Sequence, residues 1–209
     1  MPEVEILRHM EQGSDEWLAA RAGLPTASAL ASLLVKPKGK DAPHGLGAGA
    51  VAYAYEVAGE ILTGAPAPSF SNSHTERGHE LEPQIRADYE LLRGVEVEQV
   101  GLIRRGRFGY SPDGLVGDDG LIEIKSRLPK ILIPTLLGGP LSKDEDSQIQ
   151  GGLWASGRAW CDYIAYYPGM PMCVRRVYRD DAMISQIEDA VGRFNAFVDE
   201  IVGQVKAAA

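Results

Sequence analysis

The chain has 209 residues, 44% of them hydrophobic and 24% charged, the ordinary balance of a globular protein able to bury a full core. Its net charge of −8 excludes a protein that coats nucleic acid with a general positive field, so any DNA contact must be confined to a basic lining on an acidic body. No apolar run approaches the ~20 residues a membrane span needs, and Cys161 and Cys173 stand in no metal-ligand spacing, which argues against a zinc site or a disulfide framework.

The start, Met1-Pro2-Glu3-Val4-Glu5, lacks the basic-then-apolar order of a signal peptide, so a cytosolic protein is expected. Ser14 is a helix cap, and the run after it reads as a helix ended by Gly23, with Trp17 as a core anchor. Pro25-Thr26-Ala27-Ser28 opens a second helix through about Leu34, with Ala29, Leu30, Leu33 and Leu34 as its apolar stripe. Residues 36–50, rich in glycine and proline, read as a flexible loop within one domain spanning 1–209. Val51 to Leu62 reads as a helix with Val51, Tyr55, Ala58, Ile61 and Leu62 on its inner face, closed by Gly64, and residues 65–72 read as a loop. The next helix runs from about Thr75 to Leu92 and stops at Gly94; Pro83 within it predicts a kink or a helix start nearby. Glu96 to Ile103 is the first expected strand, followed by a basic turn over Arg104–Arg107.

The stretch Tyr110 to Lys125 concentrates the chemistry. Asp118-Asp119-Gly120 signals a turn, giving a hairpin whose second strand is Leu121 to Lys125. Alternation along that strand sends Ile122 and Ile124 one way and Glu123 and Lys125 the other. Asp113 on the first arm can then lie opposite Glu123, and two carboxylates offset by one lysine call for a divalent cation. Oxygen-only donors favour magnesium or manganese over zinc. Residues 126–139 fit no one regular element and are expected beside the substrate channel, and a helix begins at Asp146, where Gly151-Gly152 suggests close packing against the sheet. Trp160–Tyr167 and Cys173–Tyr178 are two further strands. Asp180 or Asp181 caps a last helix with the stripe Ile184, Ile187, Val191, Phe194, Val198, Ile201 and Val205. Three basic clusters stand out: Lys36, Lys38 and Lys40; Arg104, Arg105 and Arg107; Arg175 and Arg176. Each reads more readily as solvated surface than as a DNA contact.

Ser111-Pro112-Asp113-Gly114-Leu115 followed by Glu123-Ile124-Lys125 resembles the phage lambda exonuclease, or YqaJ-like viral recombinase, family of the PD-(D/E)XK nuclease superfamily. Gln12-Gly13-Ser14 with Trp17, Arg21, Gly23 and Thr26-Ala27-Ser28, the Gly78…Glu82-Pro83…Arg86 pattern, and Gln148-Ile149-Gln150 fall in that family's order. The resemblance implies an α/β fold with a mixed central sheet flanked by helices, a restriction-endonuclease-like core. It implies a metal-dependent 5′-to-3′ exonuclease on double-stranded DNA that releases mononucleotides for phage-type recombination. Asp113 and Glu123, with Glu82 and the Ile124 carbonyl, would hold two Mg2+ ions, for which Mn2+ could substitute; Lys125 would orient the attacking water, and Gln148 would lie at the active site. Arg21, Ser28 and Ser111 would take the 5′-phosphate, a role suited to a guanidinium fork and to hydroxyls at a helix start. The family also implies a homotrimer around DNA ends and a single-strand annealing protein as partner. Two rival readings stay open: an endonuclease with the same core, and a non-catalytic DNA-end binder.

Overall fold

The computed structural model describes residues 3–39, 42–67 and 73–208. Strands lie at Val4–Leu7 (β1), Val97–Glu98 (β2), Leu102–Arg105 (β3), Gly109–Tyr110 (β4), Gly114–Val116 (β5), Gly120–Ser126 (β6), Trp160–Tyr166 (β7) and Cys173–Tyr178 (β8). Helices span Asp15–Arg21 (α1), Leu30–Leu34 (α2), Ala48–Thr63 (α3), Ser73–Arg93 (α4), Pro129–Leu136 (α5), Lys143–Ser156 (α6) and Asp181–Ala207 (α7). Five strands form a mixed sheet in the order β2-β5-β6-β7-β8, parallel only between β6 and β7, and β1-β3-β4 form a separate antiparallel sheet.

Side-chain alternation on the two parallel strands sorts the protein into layers. Leu121, Cys161, Tyr163 and Ala165 join the main core, which also takes Ile149 and Leu153 of α6 and the inner stripe of α7. Ile122, Ile124 and Ile164 point the other way, into a smaller cluster with Ile85 and Tyr89 of α4. Glu123 shares the parity of Leu121 and is therefore carried, 2% exposed, toward the α6 side.

The expected strand over Glu96–Ile103 is divided between the two sheets. Val97 pairs with Val116, whereas Leu102 and Ile103 pair with Leu7 and Ile6 of β1, a strand not anticipated from the sequence. The chain crosses at Gly101, whose amide donates to the Leu7 carbonyl (3.0 Å) and where a Cβ would lie 2.5 Å from Met10. The hairpin turn sits one residue earlier than expected: Val116 pairs with Gly120, and Gly117 supplies the left-handed conformation (φ 52). Arg158 Nη1 donates to the Gly117 and Gly120 carbonyls at 2.8 Å each, closing the turn from beneath.

Several helices differ from their expected form. The second helix shrinks to α2, preceded by a 3-10 turn over Ala27–Ala29, with Leu30 and Leu33 buried. α3 starts at Ala48 and buries Ala50, Ala54, Val57 and Ala58, leaving Tyr55 (58%) and Ile61 (37%) exposed, because small side chains let it lie close to α7. α4 runs without interruption through Pro83. The segment expected to be irregular contains α5, with Pro129 in its first turn, where no amide hydrogen bond is lost, and Leu132 buried. α6 begins at Lys143 because Ser142 and Glu145 form a capping box. Asp180 caps α7 by accepting from Ala182 N (2.9 Å) and Met183 N (3.1 Å), and the stripe is buried as far as Ile201, with Val205 beyond the core at 47% exposure. The loop positions 68–72 and Lys40 lie outside the described residues, as does the side chain of His79.

The arginine clusters serve the fold. Arg105 is buried over Trp154, Arg107 pairs with Asp199 (2.7 Å), Arg176 grips Asp162 (2.8 Å), and Arg175 donates to the Gly139 carbonyl (2.7 Å). Among the described residues no helix is long and apolar enough to cross a membrane.

Candidate active site

β5, β6 and α6 converge on Glu123. Its Oε1 lies 2.6 Å from Lys125 Nζ and accepts from Gln148 Nε2 (2.6 Å), and its Oε2 accepts from the Tyr110 hydroxyl (3.2 Å). Lys125 Nζ also donates to Gln148 Oε1 (3.2 Å), closing a three-membered polar network around one buried carboxylate. α6 can approach this closely because Gly152 faces Tyr110: a Cβ there would lie 2.6 Å from the phenol ring, while one at Gly151 would lie 2.7 Å from Leu30. The close packing anticipated from the glycine pair is therefore made against α2 and β4.

Asp113 precedes β5 and turns its Oδ2 onto the Ile124 amide (2.5 Å), and its carbonyl accepts from Arg86 Nε (3.1 Å). Burial pushes the Asp113 carboxyl well above the ordinary range, and the charges of Glu123 and Glu82 push it further, with only Lys125 and the Ile124 amide opposing them. Burial works against the charged form of Lys125, but Glu123 and Asp113 outweigh it and raise its pKa. Glu82 lies on the facing helix α4 and pairs with Arg86 one turn on. Three carboxylates thus act on one another through their charges, offset by Lys125 and by the Arg86 that pairs with Glu82. That surplus of negative charge, presented by oxygen donors, fits a hard divalent cation. Among the described residues no three acidic, histidine or cysteine side chains stand close enough together to hold a metal: Asp113 is turned onto an amide and Glu123 is held by Lys125 and Gln148.

A cleft of about 1130 Å³ is lined by Arg21, Ser28, Glu82, Arg86 and Pro112, and so meets this cluster at Glu82 and Arg86. Arg21, the last residue of α1, stacks on Trp17 with its guanidinium carbon 4.2 Å from the ring centroid, and burial lowers its pKa against the opposing pull of Tyr53 and Glu60. Ser28 is exposed on the 3-10 turn, its hydroxyl 3.2 Å from Thr26 Oγ1. Ser111 is reached through Trp17, whose Nε1 donates to Ser111 Oγ (3.0 Å) and to the Gly101 carbonyl (2.9 Å).

Four participants have no functional role assigned to them from the sequence. Arg86 lies inside the quoted Glu82-Pro83…Arg86 pattern, and its i,i+4 spacing from Glu82 was the available signal. Tyr110 opens the chemical stretch, but nothing local marks its hydroxyl for Glu123. Gln12 Nε2 bridges the Val100 (2.9 Å) and Pro112 (2.8 Å) carbonyls. Trp17 is half-buried and lines the cleft, so it is not the core anchor expected of it.

Comparison with known proteins bears on this geometry. A family model described as the YqaJ-like viral recombinase domain matches residues 16–159. An alkaline exonuclease, LHK-Exo from Laribacter hongkongensis, is similar in structure, with 36% sequence identity and a TM-score of 0.83 over 93% of this chain and 97% of its own. LHK-Exo in complex with dAMP is 37% identical with the same TM-score and coverage. A phage-related exonuclease from Haemophilus somnus 129PT, 18% identical, shares the fold at a TM-score of 0.67 over 87% of this chain and 96% of its own. The comparison with curated proteins gave no match. With the family pattern matched across both the cleft and the acid–lysine cluster, and an exonuclease fold superposing over nearly the whole length, the chain belongs to the YqaJ-like viral recombinase family.

Proposed function

We propose that this chain is a metal-dependent exonuclease that degrades double-stranded DNA from the 5′ end, releasing mononucleotides and leaving 3′ single strands for phage-type recombination. The observation that carries the reading is the cleft that Arg21 and Ser28 line together with Glu82 and Arg86, the last two tied to Asp113 by the charge of Glu82 and by the hydrogen bond from Arg86 to the Asp113 carbonyl. No described residue accepts a hydrogen bond from Arg21, which leaves its fork free for a terminal phosphate. Family membership supports nuclease chemistry, and the similar LHK-Exo has been crystallised with a mononucleotide, dAMP, the class of product proposed for this chain.

In this reading Asp113 and Glu123 hold Mg2+, with Glu82 and the Ile124 carbonyl as further ligands; two ions fit the chemistry and Mn2+ substitutes. A divalent cation supplies Lewis-acid polarisation of the scissile phosphate and neutralises developing charge. Lys125 holds the attacking water on the face of β6 it shares with Glu123, and Gln148 fixes Glu123 while offering its amide to a phosphate oxygen without adding charge. Arg21, Ser28 and Ser111 bind the 5′-phosphate and so select an end over an internal bond. The working unit is residues 1–209 as one domain, a homotrimer around the duplex in the cytoplasm of a bacterial or phage-infected cell, with a single-strand annealing protein loading onto the exposed 3′ strand.

Linear duplex with 5′-phosphate ends, the same duplex with 5′-hydroxyl ends, and a covalently closed circle should be incubated with the protein, with and without magnesium. The phosphorylated linear substrate is expected to be digested fastest, and only with the metal. Cutting of the circle would replace this reading with an endonuclease, and binding without digestion with an end-binding module.

A further inference from the structure

Ser111, Pro112 and Asp113 are each gripped by a cleft-lining side chain: Trp17 Nε1 on Ser111 Oγ (3.0 Å), Gln12 Nε2 on the Pro112 carbonyl (2.8 Å) and Arg86 Nε on the Asp113 carbonyl (3.1 Å). The Trp17 contact differs in what it leaves open. A serine hydroxyl has one proton to give and lone pairs to receive with. The indole N–H occupies a lone pair, and no described residue accepts the Ser111 proton, so that proton is unspent among the described residues. The indole itself is pinned by its second bond, to the Gly101 carbonyl at 2.9 Å.

The same ring carries Arg21 on its face. Stacking restrains the plane of a guanidinium and leaves its N–H edges unspent. The neighbouring carboxylate of Glu60 is committed to two backbone amides, Gly23 N and Ala67 N, at 2.8 Å each, so it does not take up those edges. One indole therefore orients two donors that the chain supplies from positions 90 residues apart, Arg21 and Ser111.

We infer that Trp17 is the positioning residue that gives the end-binding pocket its preference for a phosphate monoester, by aligning the Ser111 hydroxyl and the Arg21 fork on one anion. The inference rests on the proposed assignment of Arg21, Ser28 and Ser111 to the terminal phosphate and adds the residue that makes them act together. A core anchor would support folding alike for every substrate; an aligning residue acts through the phosphate.

The test is the ratio of kcat/KM on 5′-phosphorylated to 5′-hydroxyl duplex, measured on one preparation so that an unfolded fraction cancels. Trp17→Phe keeps a ring under Arg21 and removes the N–H; it should lower the ratio about tenfold, the size of one hydrogen bond serving a charged group. Ser111→Ala should lower it equally, and the double variant no further than Ser111→Ala alone, because both changes remove the same contact. Affinity for the two ends in EDTA should follow the same pattern without turnover. A Trp17→Phe ratio equal to the parent's, or a double variant that multiplies the two losses, overturns the inference. Arg21→Ala separates the levels: if it leaves the ratio intact, the phosphate pocket itself is wrong and the inference falls with it. If Arg21→Ala removes the preference and Trp17→Phe does not, only the role of Trp17 fails. Should Trp17→Phe not fold, Trp17→His, which retains a ring N–H, must keep the preference that Ser111→Ala loses.

Discussion

Replacing Lys125 by methionine keeps most of the side-chain stem and removes the charge that, among the described residues, pairs directly with Glu123. Glu123 is 2% exposed and lies 2.6 Å from the ammonium. Without it the carboxylate keeps two donors, the Tyr110 hydroxyl (3.2 Å) and Gln148 Nε2 (2.6 Å), and faces the like charge of Asp113. Removing one partner of a buried pair costs about 3–5 kcal/mol. The Lys125 side chain is 24% exposed, so the lower end of that range, about 3 kcal/mol, applies. For a chain of this size that lowers the melting temperature by about 6–12 °C in EDTA, read by circular dichroism. Digestion of linear duplex should fall by about 10² to 10⁴, the range for losing a group that handles the reacting proton. Lys125→Arg separates the two effects, recovering most of the melt through its charge but little of the digestion. Added magnesium should raise the melt of Lys125→Met more than that of the parent, because a bound cation replaces the missing charge. A Lys125→Met protein that melts with the parent in EDTA and still digests duplex would refute both the electrostatic argument and the site.

Three further outcomes follow from the packing and the charges. Gly152→Ala would place a Cβ 2.6 Å from the Tyr110 ring, and should destabilise the protein by about 1–3 kcal/mol and slow digestion by displacing the hydroxyl that holds Glu123, both readable from urea melts and a digestion time course. Burial opposes ionisation of Glu145, but hydrogen bonds from Tyr163 and Ser142 and the charge of Arg127 outweigh it and hold its pKa down to about 2 from an ordinary 4.5. A depressed carboxyl stabilises the fold above its unfolded pKa and loses that contribution as pH falls through the folded value, so up to about 3 kcal/mol should disappear between pH 4.5 and 2. Glu145→Gln should be less stable at neutral pH and lack that loss in a urea-midpoint series against pH. Arg158→Met removes the donor to the Gly117 and Gly120 carbonyls and should cost about 1–3 kcal/mol with the hairpin turn unpaired; an unchanged chemical-denaturation midpoint would show the turn to be self-sufficient.

The elements that were legible from sequence are those in which one local rule acted without competition. α7 reads cleanly because its stripe repeats at helical spacing and packs on one side of the core. The hairpin from β5 to β6 reads because alternation alone decides which side Glu123 takes. Misreadings arose where tertiary contact overrode local preference. Gly101 splits one apolar run between two sheets because Met10 occupies the space a side chain would need. Hydrophobicity places Val51, Tyr55, Ala58, Ile61 and Leu62 on the inner face of α3, whereas the buried face is Ala50, Ala54, Val57 and Ala58, with Tyr55 and Ile61 exposed. α6 starts at Lys143, ahead of the expected Asp146, because Ser142 and Glu145, at capping-box spacing in the sequence, close its first turn.

At the candidate site, sequence order picks out Asp113, Glu123, Lys125 and Gln148 but not the side chains that hydrogen-bond across to this segment. Asp113, Glu123, Lys125 and Gln148 sit in a recognisable order, and β6 brings Glu123 and Lys125 to one face by alternation alone, with Gln148 donating to Glu123 from α6. Arg86, Gln12, Trp17 and Tyr110 act by donating to an atom far along the chain, often a backbone carbonyl, and no periodicity encodes such a partner. The same distinction accounts for an acidic protein proposed to act on DNA. The arginines gathered in sequence at 104–107 and 175–176 are engaged with the fold, while Arg21, isolated in sequence and stacked on Trp17, lines the cleft with no hydrogen-bond acceptor among the described residues. In the proposed function the phosphate contact is therefore assigned to a guanidinium without an acceptor among the described residues, and not to the arginines that cluster in sequence.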